Sequence, residues 1–447
     1  MSVTMYPSSK ATELPVVLGG SPAVASDDDS LFHWPIVTAE DEKAVVDVLR
    51  AGKMSAWDIT EKFEAEWGAY LGTRYNLAHC NGTMALLAAM FGVGVGRGDE
   101  IIVPSMTYWA SGLQAMLLGA TPVFAEVDPQ SLCIDPKGIE KLITPRTKAI
   151  IAVHYCGHPA DMDAILEIAR RRHIKVIEDV SHAQGSLYKG RLCGSMGDVA
   201  GISMMAGKSF AIGEAGMLST NDRTIFERAI ALCHYERCAQ HVQEPELRKM
   251  VAPVNARTAM PLAGLKGRVN QTCSAMGRVQ LKYYPQRIKE IQSAINRFWD
   301  LLDGTPGLRP HRCNLAEGST MGGWYNPLGH YSPEELGGLS VGAFVDAVNA
   351  EGSNRTFRGS NYPLHLHAVM RDADVYHDGK PTRIAFSDRD LREPIGSLPI
   401  TEGLHARCIG IPYFKHDEPE LIAQYANAFK KVANSAEKLV KHVQAAT

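Results

Sequence analysis

Apolar residues fall into two patterns along the chain. Short runs are apolar throughout, such as Ile101-Ile102-Val103 and Ile150-Ile151-Ala152-Val153, and between them lie stretches whose apolar positions recur every three or four residues. The first pattern predicts strands buried on both faces, the second amphipathic helices. Thr38-x-x-Asp41 opens a helix bearing Val45, Val48 and Leu49, which Gly52 ends. A second helix, from Ile59 to Leu71, sets Phe63, Trp67, Tyr70 and Leu71 along one stripe before Gly72. Strands are then predicted at 76–80, 101–104, 121–126, 148–154, at the segment ending in Asp179, at 199–204 and at 217–220, with helices between them. Such repeated βα units imply the α/β class, a largely parallel central sheet flanked by helices.

Beyond His234 the pattern changes. Residues 240–263 carry little periodicity and read as a long loop, and a helix follows to about Leu302. Gly304-Thr305-Pro306-Gly307 marks a domain boundary, after which short strands and helices suggest a smaller C-terminal α+β domain. Tyr362 to His367 reads as a strand on which His365 and His367 alternate, and a last helix from Glu418 buries Leu421, Tyr425, Phe429 and Val432. The expected organisation is an N-terminal arm (1–33), mobile, then a large domain (34–303) and a small C-terminal domain (304–447).

Composition narrows the class of partner. With 45% hydrophobic and 21% charged residues the chain is an ordinary globular protein, and a net charge of -3 gives no electrostatic pull toward nucleic acid or an anionic membrane. No apolar run reaches the length of a membrane span, and Met1 to Ser30 lacks the basic and apolar regions of a secretory signal, so a cytoplasmic protein is expected. Nine cysteines without a C-x-x-C pair suit reduced thiols. Cys233-His234-Tyr235-Glu236-Arg237-Cys238, with His241, has the residue types of a metal site. Its sulfurs stand five residues apart and no second Cys/His pair closes a tetrahedral set, so a structural role and no metal are expected.

Two strand ends carry the chemistry. One strand closes with Val176-Ile177-Glu178-Asp179; another, Val199 to Met204, leads to Ala206-Gly207-Lys208-Ser209. A carboxylate and an amine so placed are the pair that pyridoxal phosphate chemistry requires: the amine forms a Schiff base and the carboxylate keeps the pyridine nitrogen protonated. Asn81-Gly82-Thr83, between a strand and a helix, makes an anion site for the phosphate, since the first N–H groups of a helix point outward unpaired. Tyr108, just past Ile101 to Pro104, supplies a ring to lie on the pyridine, while Trp109 is expected in the core. Gly82, Tyr108, Asp179 and Lys208 all fall at carboxyl ends of strands, where sites in such sheets lie.

With these residues, Gly98-Asp99-Glu100-Ile101-Ile102-Val103-Pro104-Ser105, Gly119-Ala120-Thr121-Pro122-Val123-Phe124, Thr144-Pro145-Arg146-Thr147-Lys148 and Pro159-Ala160-Asp161-Met162 make the chain resemble the DegT/DnrJ/EryC1/StrS group of pyridoxal-phosphate sugar aminotransferases, of the type I aminotransferase fold. The resemblance is close from Trp34 to Leu302. It implies that Lys208 is the Schiff-base lysine, Asp179 the pyridinium partner and Tyr108 the stacking aromatic, with Gly82, Thr83 and Ser203 on the phosphate. His182 stands where many members carry glutamine near the phenolic oxygen, and Gln184 where many carry histidine. The family's Gly-x-Asn-x-Arg loop, donated by the partner subunit, reads here Gly264-Leu265-Lys266-Gly267-Arg268, which puts Lys266 in the asparagine's place as a phosphate contact.

The resemblance further implies a homodimer with shared active sites, glutamate or glutamine as amino donor, and a keto sugar or cyclitol as acceptor. Arg268 and His365 are candidate substrate contacts, with Arg355 and Arg358 behind them. Sugar dehydratases of the same group carry histidine in place of the lysine, and Lys208 argues against that activity. An aminohydroxybenzoate-synthase-like enzyme and a non-catalytic, cofactor-binding regulatory protein are the alternatives.

Overall fold

The computed structural model describes residues 13–25, 29–251 and 261–446. After helices α1 (Ala39–Arg50) and α2 (Asp58–Leu71), strand β1 (Tyr75–His79) leads into helix α3 (Gly82–Gly92). Strands β2 (Glu100–Pro104), β3 (Thr121–Ala125), β4 (Thr147–Val153) and β5 (Lys175–Asp179) follow. A hairpin of β6 (Leu187–Tyr188) and β7 (Arg191–Leu192) precedes β8 (Val199–Ser203) and β9 (Gly216–Thr220). Seven strands form one sheet in the order β1-β9-β8-β5-β4-β2-β3, in which only β9 runs against its neighbours. The largely parallel sheet expected from the βα alternation is therefore present.

Local chemistry explains the elements at its edge. Thr38 and Asp41 form a reciprocal capping box at the start of α1, and α2 stops at Gly72, whose φ of 82° suits a residue without a Cβ. The strands are apolar throughout because both faces are covered. On β4, Ile150 and Ala152 belong to the same buried cluster as Phe63 and Trp67 of α2, whereas Ala149, Ile151 and Val153 belong to the cluster that holds Leu86 and Met90 of α3.

The same alternation gives two neighbouring carboxylates on β5 opposite tasks. Glu178, fully buried, accepts backbone N–H bonds from Gly194, Met196 and Gly197 at 2.7, 2.8 and 2.6 Å and faces His154 Nε2 at 3.0 Å. Burial pushes its pKa up, but the His154 contact and these N–H bonds outweigh it, so the carboxyl sits below its ordinary value. Asp179 points the other way, level with Gly201 on β8 and Val153 on β4.

The helix Gln271–Leu301 runs through Pro285 and joins the sheet to the C-terminal core, where Phe298 and Trp299 pack with Phe344, Phe414 and Phe429. An antiparallel sheet of β10 (Leu308–Pro310), β11 (Leu328–Tyr331), β12 (Phe357–Arg358) and β13 (Cys408–Gly410), in the order β10-β11-β13-β12, covers one side of this core.

Four expectations differ from the structure. The described part of the N-terminal arm is packed, not free: Val24 and Leu31 are buried in the C-terminal core, and the N–H groups of Val16 and Ala23 donate to the buried Glu351 carboxylate. The loop at 240–263 contains a helix, Pro245–Met250, whose first N–H groups are capped by Glu244; residues 252–260 lie outside the described residues. Leu364–Leu366 is a single 3-10 turn following Pro363 (φ -58°), not part of a strand, so the period-two argument for His365 and His367 does not apply. In the helix Pro419–Ala433 it is Ile422, not Leu421, that is fully buried with Tyr425, Phe429 and Val432.

Glu178→Gln keeps the shape but offers one acceptor oxygen where two served three N–H groups, so it is expected to cost about 1–3 kcal/mol, read from urea denaturation at pH 7. Because the folded pKa is depressed, the wild type's advantage is present above the unfolded value of about 4.3 and is lost as pH falls through the folded one. Equal denaturation midpoints for the two proteins at pH 7 would refute this clamp.

Candidate active site

A cavity of about 430 Å³ opens at the carboxyl ends of the parallel strands, lined on one side by Asn81, Gly82, Thr83 and Ser203, on another by Thr107, Tyr108, Ser111 and Asp179, and further by His182, Lys208 and Tyr325. It gathers residues from β1, β2, β5 and β8 because parallel strands end on the same side of the sheet.

The segment expected to cradle an anion is shaped by packing as well as by helix geometry. Asn81 Oδ1 takes the N–H of Met84 at 2.8 Å as the cap of α3. A Cβ on Gly82 would stand 2.5 Å from the Cβ of Ser203, so α3 reaches β8 only because residue 82 has no side chain. Gly201 likewise lies under Leu86, where a Cβ would meet Leu86 Cδ2 at 2.6 Å.

Asp179 is held by two donors. Ser111 Oγ donates to its Oδ2 at 2.7 Å and the Ser181 N–H to its Oδ1 at 3.0 Å, while Thr107 Oγ1 lies 2.7 Å from Ser111 Oγ. Lys208 is buried, and its Nζ lies 3.9 Å from the centre of the Tyr325 ring. Burial lowers its pKa to about 8, with the nearby Asp179 charge opposing the shift. His182 packs on Tyr325 at 4.6 Å between ring centres, and burial together with the Lys208 charge holds its pKa well below the ordinary value. The imidazole is therefore neutral at physiological pH. Gln184 bridges the carbonyl of Ser203 and the hydroxyl of Ser209, at 2.6 and 2.8 Å, beneath the lysine loop.

Of the residues singled out from sequence, Gly82, Thr83, Tyr108, Asp179, His182, Ser203 and Lys208 meet at this cavity. Tyr108 is 47% exposed at its mouth, and Trp109, expected in the core, is 44% exposed beside it, its ring 4.8 Å from that of Tyr108, while the next two residues of the 3-10 turn, Ala110 and Ser111, turn inward and are buried. Lys266 and Arg268 are not in the lining. They flank Tyr235, with Arg268 Nε 3.5 Å from Glu236. His365 is also elsewhere: its two ring nitrogens are taken by Ser105 Oγ at 2.7 Å and Glu402 at 3.2 Å, which leaves no free nitrogen for a substrate. Arg355 stacks on Phe32 and pairs with Asp29, and Arg358 lies 3.7 Å from Asp346.

Sequence reasoning did not assign Ser111, Ser181, Tyr325 and Asn361 to the site. For Tyr325 the signal was the preceding Gly322-Gly323. A Cβ on Gly323 would meet Ser209 Cβ at 2.2 Å, so the glycine pair lets this loop lie against Lys208-Ser209 and deliver the ring. Trp34 is another such residue: its indole N–H donates to the Lys208 carbonyl at 2.9 Å.

Known proteins resemble this chain over most of its length. Residues 35–405 match the DegT/DnrJ/EryC1/StrS aminotransferase family. The chain belongs to that family. It is 42% identical to the dTDP-3-amino-3,4,6-trideoxy-alpha-D-glucose transaminase of Streptomyces venezuelae, covering 85% of this chain and 88% of the relative. To the L-glutamine:2-deoxy-scyllo-inosose aminotransferase of Micromonospora echinospora it is 31% identical, over 93% and 97% of the two chains. Other relatives match over a shorter span: the GDP-perosamine synthase of Caulobacter vibrioides is 39% identical over 49% of this chain, and the match covers 56% of its own length. An aminotransferase of Psychrobacter cryohalolentis has the same fold, with a TM-score of 0.77 at 26% identity over 91% of this chain and 99% of that one.

Two outcomes follow for this family member. The Lys208 amine should react with an aldehyde reagent with a midpoint near pH 8, followed by labelling and mass spectrometry; a midpoint at the free-lysine value of about 10.4 would contradict the burial argument. Gly82→Ala should force α3 and β8 apart, lowering stability by about 1–3 kcal/mol and abolishing phosphate binding, measured by thermal shift with inorganic phosphate. An unchanged shift would show that the cradle does not depend on this contact.

Proposed function

We propose that the chain is a pyridoxal 5'-phosphate-dependent transaminase, moving an amino group from an amino acid, glutamate or glutamine, to a keto group on a sugar or cyclitol in amino-sugar, aminocyclitol or secondary-metabolite biosynthesis. The observation that carries this reading is the meeting, in one cavity, of an amine with a lowered pKa, a buried carboxylate and a helix-start anion cradle. These match the aldehyde, the pyridine nitrogen and the phosphate of the cofactor. At the phosphate end, Gly82 lets the start of α3 lie against Ser203 of β8, which brings the first N–H groups of the helix beside that serine.

Bound there, the cofactor supplies a sink for the charge that develops on the carbon beside the donor nitrogen. The side chains do the rest. Lys208 anchors the cofactor and, part of it being neutral near pH 8, takes a proton from one carbon and returns it to another. Asp179, oriented by Ser111 and Ser181, holds the ring nitrogen in its protonated form. Asn81, Gly82, Thr83 and Ser203 hold the phosphate, Tyr108 covers the ring, and neutral His182 offers a hydrogen bond to the ring's oxygen.

Similarity to a dTDP-sugar transaminase supports a sugar acceptor, and similarity to a glutamine-dependent inosose aminotransferase supports a glutamine donor and a cyclitol acceptor. Lys266 and Arg268 lie outside this cavity, and we assign them to the neighbouring site of a homodimer with shared active sites, Lys266 on the phosphate and Arg268 on the substrate. Nine free cysteines, and the absence among the described residues of any helix long and apolar enough to cross a membrane, support a cytoplasmic setting.

The test is an absorbance spectrum of the protein with pyridoxal phosphate, before and after glutamate or glutamine. The wild type should show the band of the lysine-bound cofactor and lose it on addition of the true donor. Lys208→Ala should lack the band and lower turnover by about 10²–10⁴-fold, while Asp179→Asn should bind cofactor but turn over slowly. A wild-type band that no amino acid shifts would sink the transaminase reading.

A further inference from the structure

We infer that His79, Cys233 and His234 form a binding site for a borderline transition-metal ion, zinc(II) foremost, outside the cavity described above. His79 is the last residue of β1, Cys233 ends the helix Arg223–Cys233, and His234 is that helix's C-cap. All three are buried, and their donor atoms lie within 4.8 Å of one another. His79 Nδ1 is 3.4 Å from His234 Nε2 and 3.8 Å from Cys233 Sγ. Metal–nitrogen bonds of about 2.0–2.1 Å and a metal–sulfur bond of about 2.3 Å, at tetrahedral angles, require separations of roughly 3.4 and 3.6 Å. Two edges of the triangle are thus near their liganded lengths, and the third has only to close on binding.

Hydrogen bonding within the protein accounts poorly for the cluster. At 3.4 Å the imidazole pair makes a long hydrogen bond, and His79 Nε2 and His234 Nδ1 have no partner.

Two neighbours favour an ion here. A Cβ on Gly267 would stand 2.9 Å from Cys233 Sγ, 3.1 Å from His79 Nδ1 and 2.9 Å from Met84 Cγ, so the glycine keeps open the space toward which a thiol, an imidazole and a thioether side chain converge. The donors themselves, one thiol and two imidazoles, are soft and borderline and select zinc or copper over magnesium or calcium. Binding sends the Cys233 proton to solvent, and the ion then sits against a thiolate. Glu236, 4% exposed and with neither carboxylate oxygen hydrogen-bonded, supplies further negative charge nearby; its cation partner is Arg268 Nε at 3.5 Å.

The expectation of no metal is revised here because the third donor comes from β1, remote in sequence from Cys233 and His234. Cys238 and His241 take no part: among the described residues the donors within 4.8 Å of one another are those of His79, Cys233 and His234, and the Cys233 thiol, which donates to the Ala229 carbonyl at 3.5 Å, would give up that bond on binding. The ion would staple the end of β1 to the end of the helix Arg223–Cys233, beside Gly267, whose backbone already pairs with the Cys80 N–H and the Cys233 carbonyl.

The experiment is a cobalt(II) titration of chelator-treated full-length protein, read by absorbance, with wild type, Cys233→Ser, His79→Gln and Cys238→Ser. About one cobalt per chain, with a thiolate charge-transfer band lost in the first two variants and kept in the third, is the expected result. No thiolate band in the wild type, or a band that survives Cys233→Ser, would overturn the proposal. If the variants fail to fold, zinc-edge X-ray absorption of zinc-loaded wild type decides: one sulfur at about 2.3 Å supports the site, and a shell of light atoms alone, an adventitious ion only, refutes it.

Discussion

The Glu178 carboxylate, sunk in the sheet and accepting three backbone N–H bonds from residues 194–197, is the constraint on which the site depends. It ties the end of β5 to the turn that feeds β8, and so sets those two strands level, with Asp179 opposite Gly201. From that register follow the Gly82–Ser203 contact that closes the anion cradle and the exit of the chain from β8 toward Lys208. Two adjacent acids thus divide the work by the pleat alone: one spends its charge on the scaffold and the other presents it to the cavity.

Around this frame burial is the largest influence on the two basic groups of the site. Lys208 and His182 are both depressed by burial, and the lysine's charge depresses the histidine further. Asp179 acts the other way on Lys208 but keeps its oxygens engaged by Ser111 and Ser181. The result is an amine part-neutral near pH 8, a neutral imidazole and an oriented carboxylate, all buried in the lining of a cavity with Tyr108 at its mouth. The Tyr325 face toward Lys208 and the Trp34 hydrogen bond behind it come from segments far away in the chain, so residues more than a hundred positions to either side share in placing the lysine.

Close packing at glycines recurs where elements of the site meet. Gly82 against Ser203, Gly201 against Leu86 and Gly323 against Ser209 are each contacts that a methyl group would break. They explain why short, glycine-marked segments rather than long apolar runs signal the functional region.

The sequence by itself determined the strand order of chemistry: apolar runs bounded by Asp179, Asn81-Gly82-Thr83 and Lys208 identified the sheet, its helices and the residues at its carboxyl edge, because local periodicity and helix capping act over a few residues. What only the tertiary structure decided involves partners distant in the chain. His365 left the substrate for Ser105 and Glu402, the described part of the N-terminal arm was claimed by the C-terminal core through Val24 and Leu31, and His79 joined Cys233 and His234. Tyr325 reached Lys208 in the same way. No spacing rule encodes such meetings, since they depend on how separate elements pack, and packing is settled by shape and burial across the whole fold.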